Sequence, residues 1–297
     1  MAVKQDHGGS ARIHENLRDE KTQELRGRKT VKKVDGHYNI GLPLRKKTVV
    51  MPNNRCVAEQ LAANLKKKLS KNSALHKEYR EFMSDLLGKG YAVEVLGDKL
   101  NHNDGRVWYI PHHGVFHPQK GKLRVVFDCA ASFQEITQWR KSLNGELLQG
   151  PDLTNTLIGV LTRFRHDHIG YHGDMSQPLH KYKMVVHLFG ATSSPSCANF
   201  ALRQTAEDER DTSSPSAVKT VLNNFYVDDC LTSMSKEHEA ITLAKDLITL
   251  CGSGGFRLTK WTSKSCAVLL SLPERDRAKE IKNLDLDKDE LPMERAL

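Results

Sequence analysis

The sequence predicts an α+β fold. Apolar stripes of helical period are segregated from short β-branched runs flanked by turn residues, and no internal repeat is visible along the 297 residues. That length suffices for one large domain or two smaller ones, each with a buriable core.

Val57, Leu61, Leu65 and Leu69 recur every fourth residue and predict a first helix, with Lys66, Lys67 and Lys68 between its apolar positions. A second helix carries Leu75, Tyr79, Phe82, Met83, Leu86 and Leu87, with Asn72 or Ser73 as its cap and Gly88 or Gly90 as a left-handed stop. Residues 107–111 and 122–128 read as a β-hairpin closed by a His- and Gly-rich turn. Pro151 opens a third helix in this reading, because proline suits the first helical position, and Leu153, Leu157, Val160, Leu161 and Phe164 form its apolar side. Residues 182–187 read as a strand, Pro195 starts a helix through Arg203, and residues 217–223 make another. Phe225-Tyr226-Val227 is a short strand running into two acids. Ala240, Ile241, Ala244, Leu247, Ile248 and Cys251 define an amphipathic helix stopped by the glycines at 252–255, and residues 256–261 and 267–272 read as further strands.

Residues 1–36 alternate charge and glycine with few large apolar groups, too little buriable area to offset the entropy of ordering, so a disordered polar tail is expected. The apolar fraction of 38% argues against disorder elsewhere. Lys and Arg outnumber Asp and Glu by 45 to 36, and the net charge of +9 favours polyanionic partners. Lys29 to Lys33 and Arg45-Lys46-Lys47 are basic clusters that fit either a phosphate backbone or a solvated face. The six cysteines lack any C-x-x-C spacing, which points away from zinc and from a disulfide framework and toward a reducing compartment. The N-terminus has no apolar signal-peptide core, and no apolar run nears the ~20 residues that cross a bilayer. An intracellular protein of cytoplasm or nucleus, neither secreted nor transmembrane, is expected.

Asp228 and Asp229 are adjacent carboxylates at the end of an apolar strand. Their mutual repulsion is relieved by a divalent cation, and an all-oxygen site suits Mg²⁺. Successive strand residues face opposite sides, so one acid serves the metal directly and the other is a weaker ligand. Nucleotidyl transfer by two ions requires a further carboxylate from a different strand. His112, His113 and His117 are candidate metal ligands, Trp108, Tyr109 and Phe116 candidate base-stacking residues, and Cys230 a candidate reactive thiol. Hairpin packing accounts for the first two sets, and burial in a strand for the third.

Phe225-Tyr226-Val227-Asp228-Asp229, followed by Cys230-Leu231, resembles the Y-x-D-D box of reverse transcriptases. Leu188-Phe189-Gly190-Ala191-Thr192-Ser193-Ser194-Pro195 resembles the loop lying against incoming nucleotide and template, and Arg124, Asp128 and Ser142-Leu143-Asn144 resemble the fingers segment. Gly36-His37-Tyr38, Lys89-Gly90-Tyr91, Tyr109 to Val115, Leu147 to Pro151 and Gly255 to Trp261 are similar to the Pol polyproteins of BEL/Pao long-terminal-repeat retrotransposons, from about residue 34 onward. The resemblance implies a right-hand polymerase architecture, incomplete here, with fingers and an antiparallel palm sheet backed by helices. It implies a tail at 1–36, fingers at 37–150, a palm with the Tyr-Val-Asp-Asp box at 151–262 and a connector at 263–297. It also implies an RNA-directed DNA polymerase using Mg²⁺ or Mn²⁺ on an RNA or DNA template-primer and deoxynucleoside triphosphates. Asp228 and Asp229 would be catalytic and metal-binding, and Arg124, Phe189, Gly190, Ser194, Pro195 and Tyr226 would bind nucleotide. The chain stops where that family continues into RNase H and integrase, and no protease segment precedes it, so a polyprotein fragment is expected.

One departure limits the expectation. Family members carry, before the strand near Tyr182, an apolar strand ending in an aspartate and then an acidic-aromatic helix. Residues 165–181 look too short and polar for both. Asp174 reads as a turn residue, and Asp167 is the other candidate replacement. An impaired enzyme is therefore expected, with a domesticated nucleic-acid-binding protein or a translated relic as alternatives. Residues 134–141 look like an insertion before Ser142 that disturbs the fingers.

Overall fold

A computed structural model describes residues 31–46, 48–88, 91–95, 104–117, 122–134, 140–164, 169–175, 183–184 and 190–282. The chain opens with β1 (Lys32–Val34), β2 (His37–Asn39), α1 (Arg55–Ser70), α2 (Ser73–Gly88), β3 (Ala92–Val93), β4 (His112–His117), β5 (Lys122–Phe127), β6 (Ser132–Phe133) and β7 (Lys141–Ser142). It continues through α3 (Leu143–Glu146), α4 (Leu157–Phe164), β8 (Ile169–Met175), β9 (Lys183–Met184), α5 (Ser194–Asp208), α6 (Pro215–Asn223), β10 (Phe225–Tyr226) and β11 (Asp229–Met234). Last come α7 (Glu237–Ser253), β12 (Leu258–Ser263), α8 (Cys266–Leu270) and α9 (Lys279–Lys282). Helices and small antiparallel sheets are mixed in two compact units. Gly41–Pro151 and Pro178–Cys197 belong to the first; Val31–Ile40, Asp152–Gln177 and Ala198–Leu297 belong to the second.

In the first unit, Asn72 caps α2: its side chain accepts from the Leu75 amide at 3.0 Å and its carbonyl from the His76 amide at 2.9 Å. Tyr79 and Leu86 are the buried residues of that helix, and Gly88 stays helical instead of forming a left-handed stop. The expected hairpin forms, but with its first strand displaced. Residues 107–111 are not a strand; His112, His113 and Gly114, expected in the turn, begin the ladder opposite Phe127, Val126 and Val125. The reason is that buried Asn54 takes both backbone groups of Tyr109, donating to its carbonyl at 2.7 Å and accepting from its amide at 2.9 Å. The core is built on Leu86, Phe127, Cys129, Leu143, Leu147 and Ala191, with Trp108, Ile110 and Val125 packed against it. β6 and β7 pair with each other across the suspected insertion, of which Lys141 belongs to the ladder and residues 135–139 lie outside the described set.

The second unit holds a four-stranded antiparallel sheet in the order β10-β11-β8-β12. Chain order and strand order together give a β-α-β-β-α-β arrangement of split units. Its core joins Leu202, Val218, Val221, Phe225, Cys230, Leu243, Leu247, Leu258 and Trp261. Four expectations are corrected here. Lys32–Val34 is a strand paired with His37–Asn39, so the polar tail does not extend to residue 36; residues 1–30 lie outside the described set. The helix expected at Pro151 starts at Leu157, because Thr156 supplies the cap and Leu153 and Asn155 are engaged elsewhere. Residues 267–272 are helical through Leu270 instead of extended: the Ser265 side chain accepts from the Val268 amide, and a short apolar run carries no period that separates helix from strand. Residues 169–175, read as too polar for a strand, form the central strand β8.

Candidate active site

Helix α6 delivers the chain to the hairpin that carries the two acids. Ser214 caps its start and Asn224 its end, where the Asn224 amide reaches the Thr220 carbonyl at 2.8 Å. Phe225 pairs with Cys230 and Tyr226 with Asp229, leaving Val227 and Asp228 as the turn. Val227 has φ 57°, a left-handed conformation that a β-branched residue rarely adopts. Asp228 is exposed at the tip and Asp229, the first residue of β11, is half-buried.

The register of β8 changes the view of Asp174. It lies directly opposite Asp229 on β11 and opposite Thr259 on β12. Residues directly opposed in an antiparallel ladder occupy the same face, with Cβ positions roughly 4.5–5.5 Å apart. The backbone thus brings Asp174 to the end of the sheet where Asp228 and Asp229 sit, and it is not the turn residue expected. Sequence reasoning missed this because Gly170, His172 and Gly173 dilute the strand signal. Ile169, Tyr171 and Met175 do keep a period of two, and that alternation was the available clue. Asp167 lies outside the described residues. Among the described residues no group of three or more His, Cys, Asp or Glu could hold a metal; for β8 only the backbone is described, so Asp174 does not enter that statement.

Of the residues expected to bind nucleotide, Tyr226 is half-buried on β10 in the second unit, and Arg124, Gly190, Ser194 and Pro195 belong to the first. Phe189 lies outside the described residues. Arg124 is exposed on β5, opposite Val115. Asp128 accepts from the Ala130 and Ala131 amides at 3.1 and 2.8 Å, which fixes the turn that follows β5. Asn144 joins two segments that lie far apart in the chain. Its side chain donates to the Gly190 carbonyl and accepts from the Thr192 amide, both at 2.9 Å. Gly190 has φ 102°, and a Cβ there would stand 2.3 Å from the Phe127 carbonyl oxygen, so only glycine fits. Ser194 and Pro195 then open α5.

No protein-family model and no curated protein matches the chain. Solved structures of foamy-virus reverse transcriptases are similar to it. The foamy viral protease-reverse transcriptase in complex with double-stranded DNA aligns at 14% identity and a TM-score of 0.41, covering 86% of this chain and 40% of that one. A mutant of the prototype foamy virus protease-reverse transcriptase aligns at 14% identity and a TM-score of 0.41, covering 84% and 31%. The chain therefore spans less than half the length of either.

Packing accounts for some of the remaining candidates and not for others. The His112 ring is hydrogen-bonded to the Tyr79 hydroxyl and stacked on its ring at 5.9 Å, whereas His113 is on the opposite, exposed face. The His117 side chain lies outside the described set. Trp108 packs on the first core and Phe116 is exposed. Cys230 is fully buried, and burial raises its thiol well above the ordinary range, so it is held as a neutral strand residue. Of the basic cluster at 29–33, Lys33 pairs with Glu209 at 3.1 Å. No helix among the described residues is long and apolar enough to cross a membrane.

Proposed function

We propose that this chain is the fingers and palm of a BEL/Pao-type reverse transcriptase within a Pol polyprotein, with Asp174, Asp228 and Asp229 as its metal-binding carboxylates. One observation carries the reading: the register that sets Asp174 opposite Asp229, next to the turn bearing Asp228. Three carboxylates from two separate strands and a turn make an all-oxygen donor set, which fits hard divalent cations. Mg²⁺ or Mn²⁺ would supply charge stabilisation for the attacking and leaving oxygens of an in-line phosphoryl displacement. In this reading Asp174 and Asp228 would hold the cations, and Asp229 would support them from the first position of β11. The new bond joins a primer 3′ oxygen to the α-phosphorus of a deoxynucleoside triphosphate, and pyrophosphate leaves. Arg124 and the Gly190 to Pro195 loop would serve the triphosphate, and the +9 charge an RNA or DNA template-primer.

The test is primer extension on a poly(rA) template with Mg²⁺ and then Mn²⁺. Incorporation should fall by at least about 10³-fold in both Asp228→Asn and Asp174→Asn, because each removes a ligand from the two-ion site. An Asp174→Asn variant with undiminished activity would remove Asp174 from the site. A second reading, a nucleic-acid-binding protein with little or no catalysis, is favoured by one feature. Only residues 176–182 separate β8 from β9, too few for the acidic-aromatic helix of the family. Under that reading the wild type incorporates nothing, while its affinity for a primer-template still falls linearly on a log–log plot against salt.

A further inference from the structure

The hairpin that presents Asp228 and Asp229 is poorly secured by its own ladder. β10 is an edge strand of two residues, and its turn carries a left-handed valine. The Leu231 amide donates to the Asn224 carbonyl at 3.0 Å, so Asn224 and Leu231 form a hydrogen-bonded pair. Antiparallel pairs alternate in type. Phe225 and Cys230 are therefore a non-bonded pair, and the Phe225 carbonyl points off the open edge.

Two asparagines complete what the ladder lacks. The Asn224 amide would ordinarily return a bond to the Leu231 carbonyl, but α6 consumes it at Thr220. The Asn224 side chain replaces it, with Nδ2 donating to the Leu231 carbonyl at 3.1 Å from a buried position. On the other side of β10, Asn155 Nδ2 donates to the Phe225 carbonyl at 2.8 Å. Both amides are oriented by arginines, which can only donate. Arg163 Nε donates to Asn224 Oδ1 at 3.3 Å, its Nη2 reaches the Asn223 carbonyl, and its own carbonyl accepts from Ser233 Oγ at 3.1 Å. Arg203 Nη2 donates to Asn155 Oδ1 at 3.4 Å and to the Leu153 carbonyl at 3.1 Å. The arginines thus turn each amide nitrogen toward the hairpin.

We infer that Asn155 and Asn224, oriented by Arg203 and Arg163, are positioning residues that set the geometry of the carboxylates on the β10–β11 hairpin. The inference rests on the metal-binding reading of Asp228 and Asp229. It does not require that the chain extend a primer.

Asn155→Asp is the decisive variant: it keeps shape and the Arg203 contact but sets an oxygen against the Phe225 carbonyl. Asn155→Gln retains a donor, and Thr249→Ala, on the exposed side of α7, is the control. Mn²⁺ affinity is read by electron paramagnetic resonance of the free ion, alongside single-nucleotide extension and thermal melting. For Asn155→Asp we expect Mn²⁺ binding weakened by about 3–10-fold and kcat lowered by about 10–100-fold, with KM for nucleotide within about threefold and melting close to wild type. Asn155→Gln should regain most of the loss, and Thr249→Ala should lose nothing. Wild-type Mn²⁺ affinity in Asn155→Asp, or losses that simply track melting, would overturn the inference. A wild type that binds Mn²⁺ through Asp228 but extends no primer defeats the polymerase reading alone, and the Mn²⁺ data still decide the role of Asn155. A wild type whose Mn²⁺ binding is indifferent to Asp228→Asn overturns the inference as well.

Discussion

The β8 register sets Asp174 opposite Asp229, a placement that the neighbouring glycines hide in the sequence. A central strand takes its hydrogen bonds from both neighbours, so β8 tolerates Gly170 and Gly173 where an isolated strand would not. The Val227 conformation was likewise invisible in the sequence. Holding a β-branched residue at φ 57° costs on the order of 1–2 kcal/mol, and the side chain is 45% exposed, so little burial offsets the strain. Val227→Asn, which tolerates that region, should raise stability by about 0.5–1 kcal/mol, read from the urea midpoint. An unchanged or lower midpoint would mean that the turn geometry is not the source of strain.

At the scale of elements, the long helices followed their apolar period, whereas the short runs held in some places, as at residues 122–127 and 225–226, and failed in others. α7 extends where Ala240, Leu247 and Cys251 predicted it, since one helix buries its own stripe whatever its partner is. Leu247→Ala should cost about 2–5 kcal/mol, because Leu247 is fully buried at the centre of the second core. The short runs failed where another side chain claimed the backbone first: Asn54 took Tyr109 out of the hairpin, and Ser265 turned residues 266–270 into a helix. Loop geometry was readable only through a single residue type. Gly190→Ala meets the Phe127 carbonyl and an unfavourable φ together, and should lower stability by at least about 2 kcal/mol in a chemical denaturation series.

For the whole molecule, burial of free thiols sets a pH limit. Burial pushes Cys129 up to about 11 and Cys251 up to about 12, and raises Cys230 as well, from an ordinary 9.0. The unfolded chain therefore releases these protons near pH 9 while the folded chain retains them. Their contribution to stability is complete below pH 9 and declines as pH rises toward the folded values, by up to about 1.4 kcal/mol per pH unit for each thiol. Urea midpoints at pH 7.5, 9 and 10 should fall in that order, and Cys251→Ala should show a shallower decline. A midpoint that holds steady to pH 10 would mean that the thiols are hydrated.

Composition, helical period and the adjacency of two acids sufficed for the α+β class, the principal helices and the hairpin of Asp228 and Asp229. These are properties of single segments: a helix satisfies most of its backbone hydrogen bonds within itself, and the hairpin joins residues that are neighbours in the chain. Pairing between distant segments was left to the tertiary structure, which set β8 between β11 and β12, placed Asp174 opposite Asp229, and closed the hairpin base with the amides of Asn155 and Asn224. A strand's partners satisfy its backbone only once the chain has folded back, so the register that joins the carboxylates is written in no local stretch of sequence.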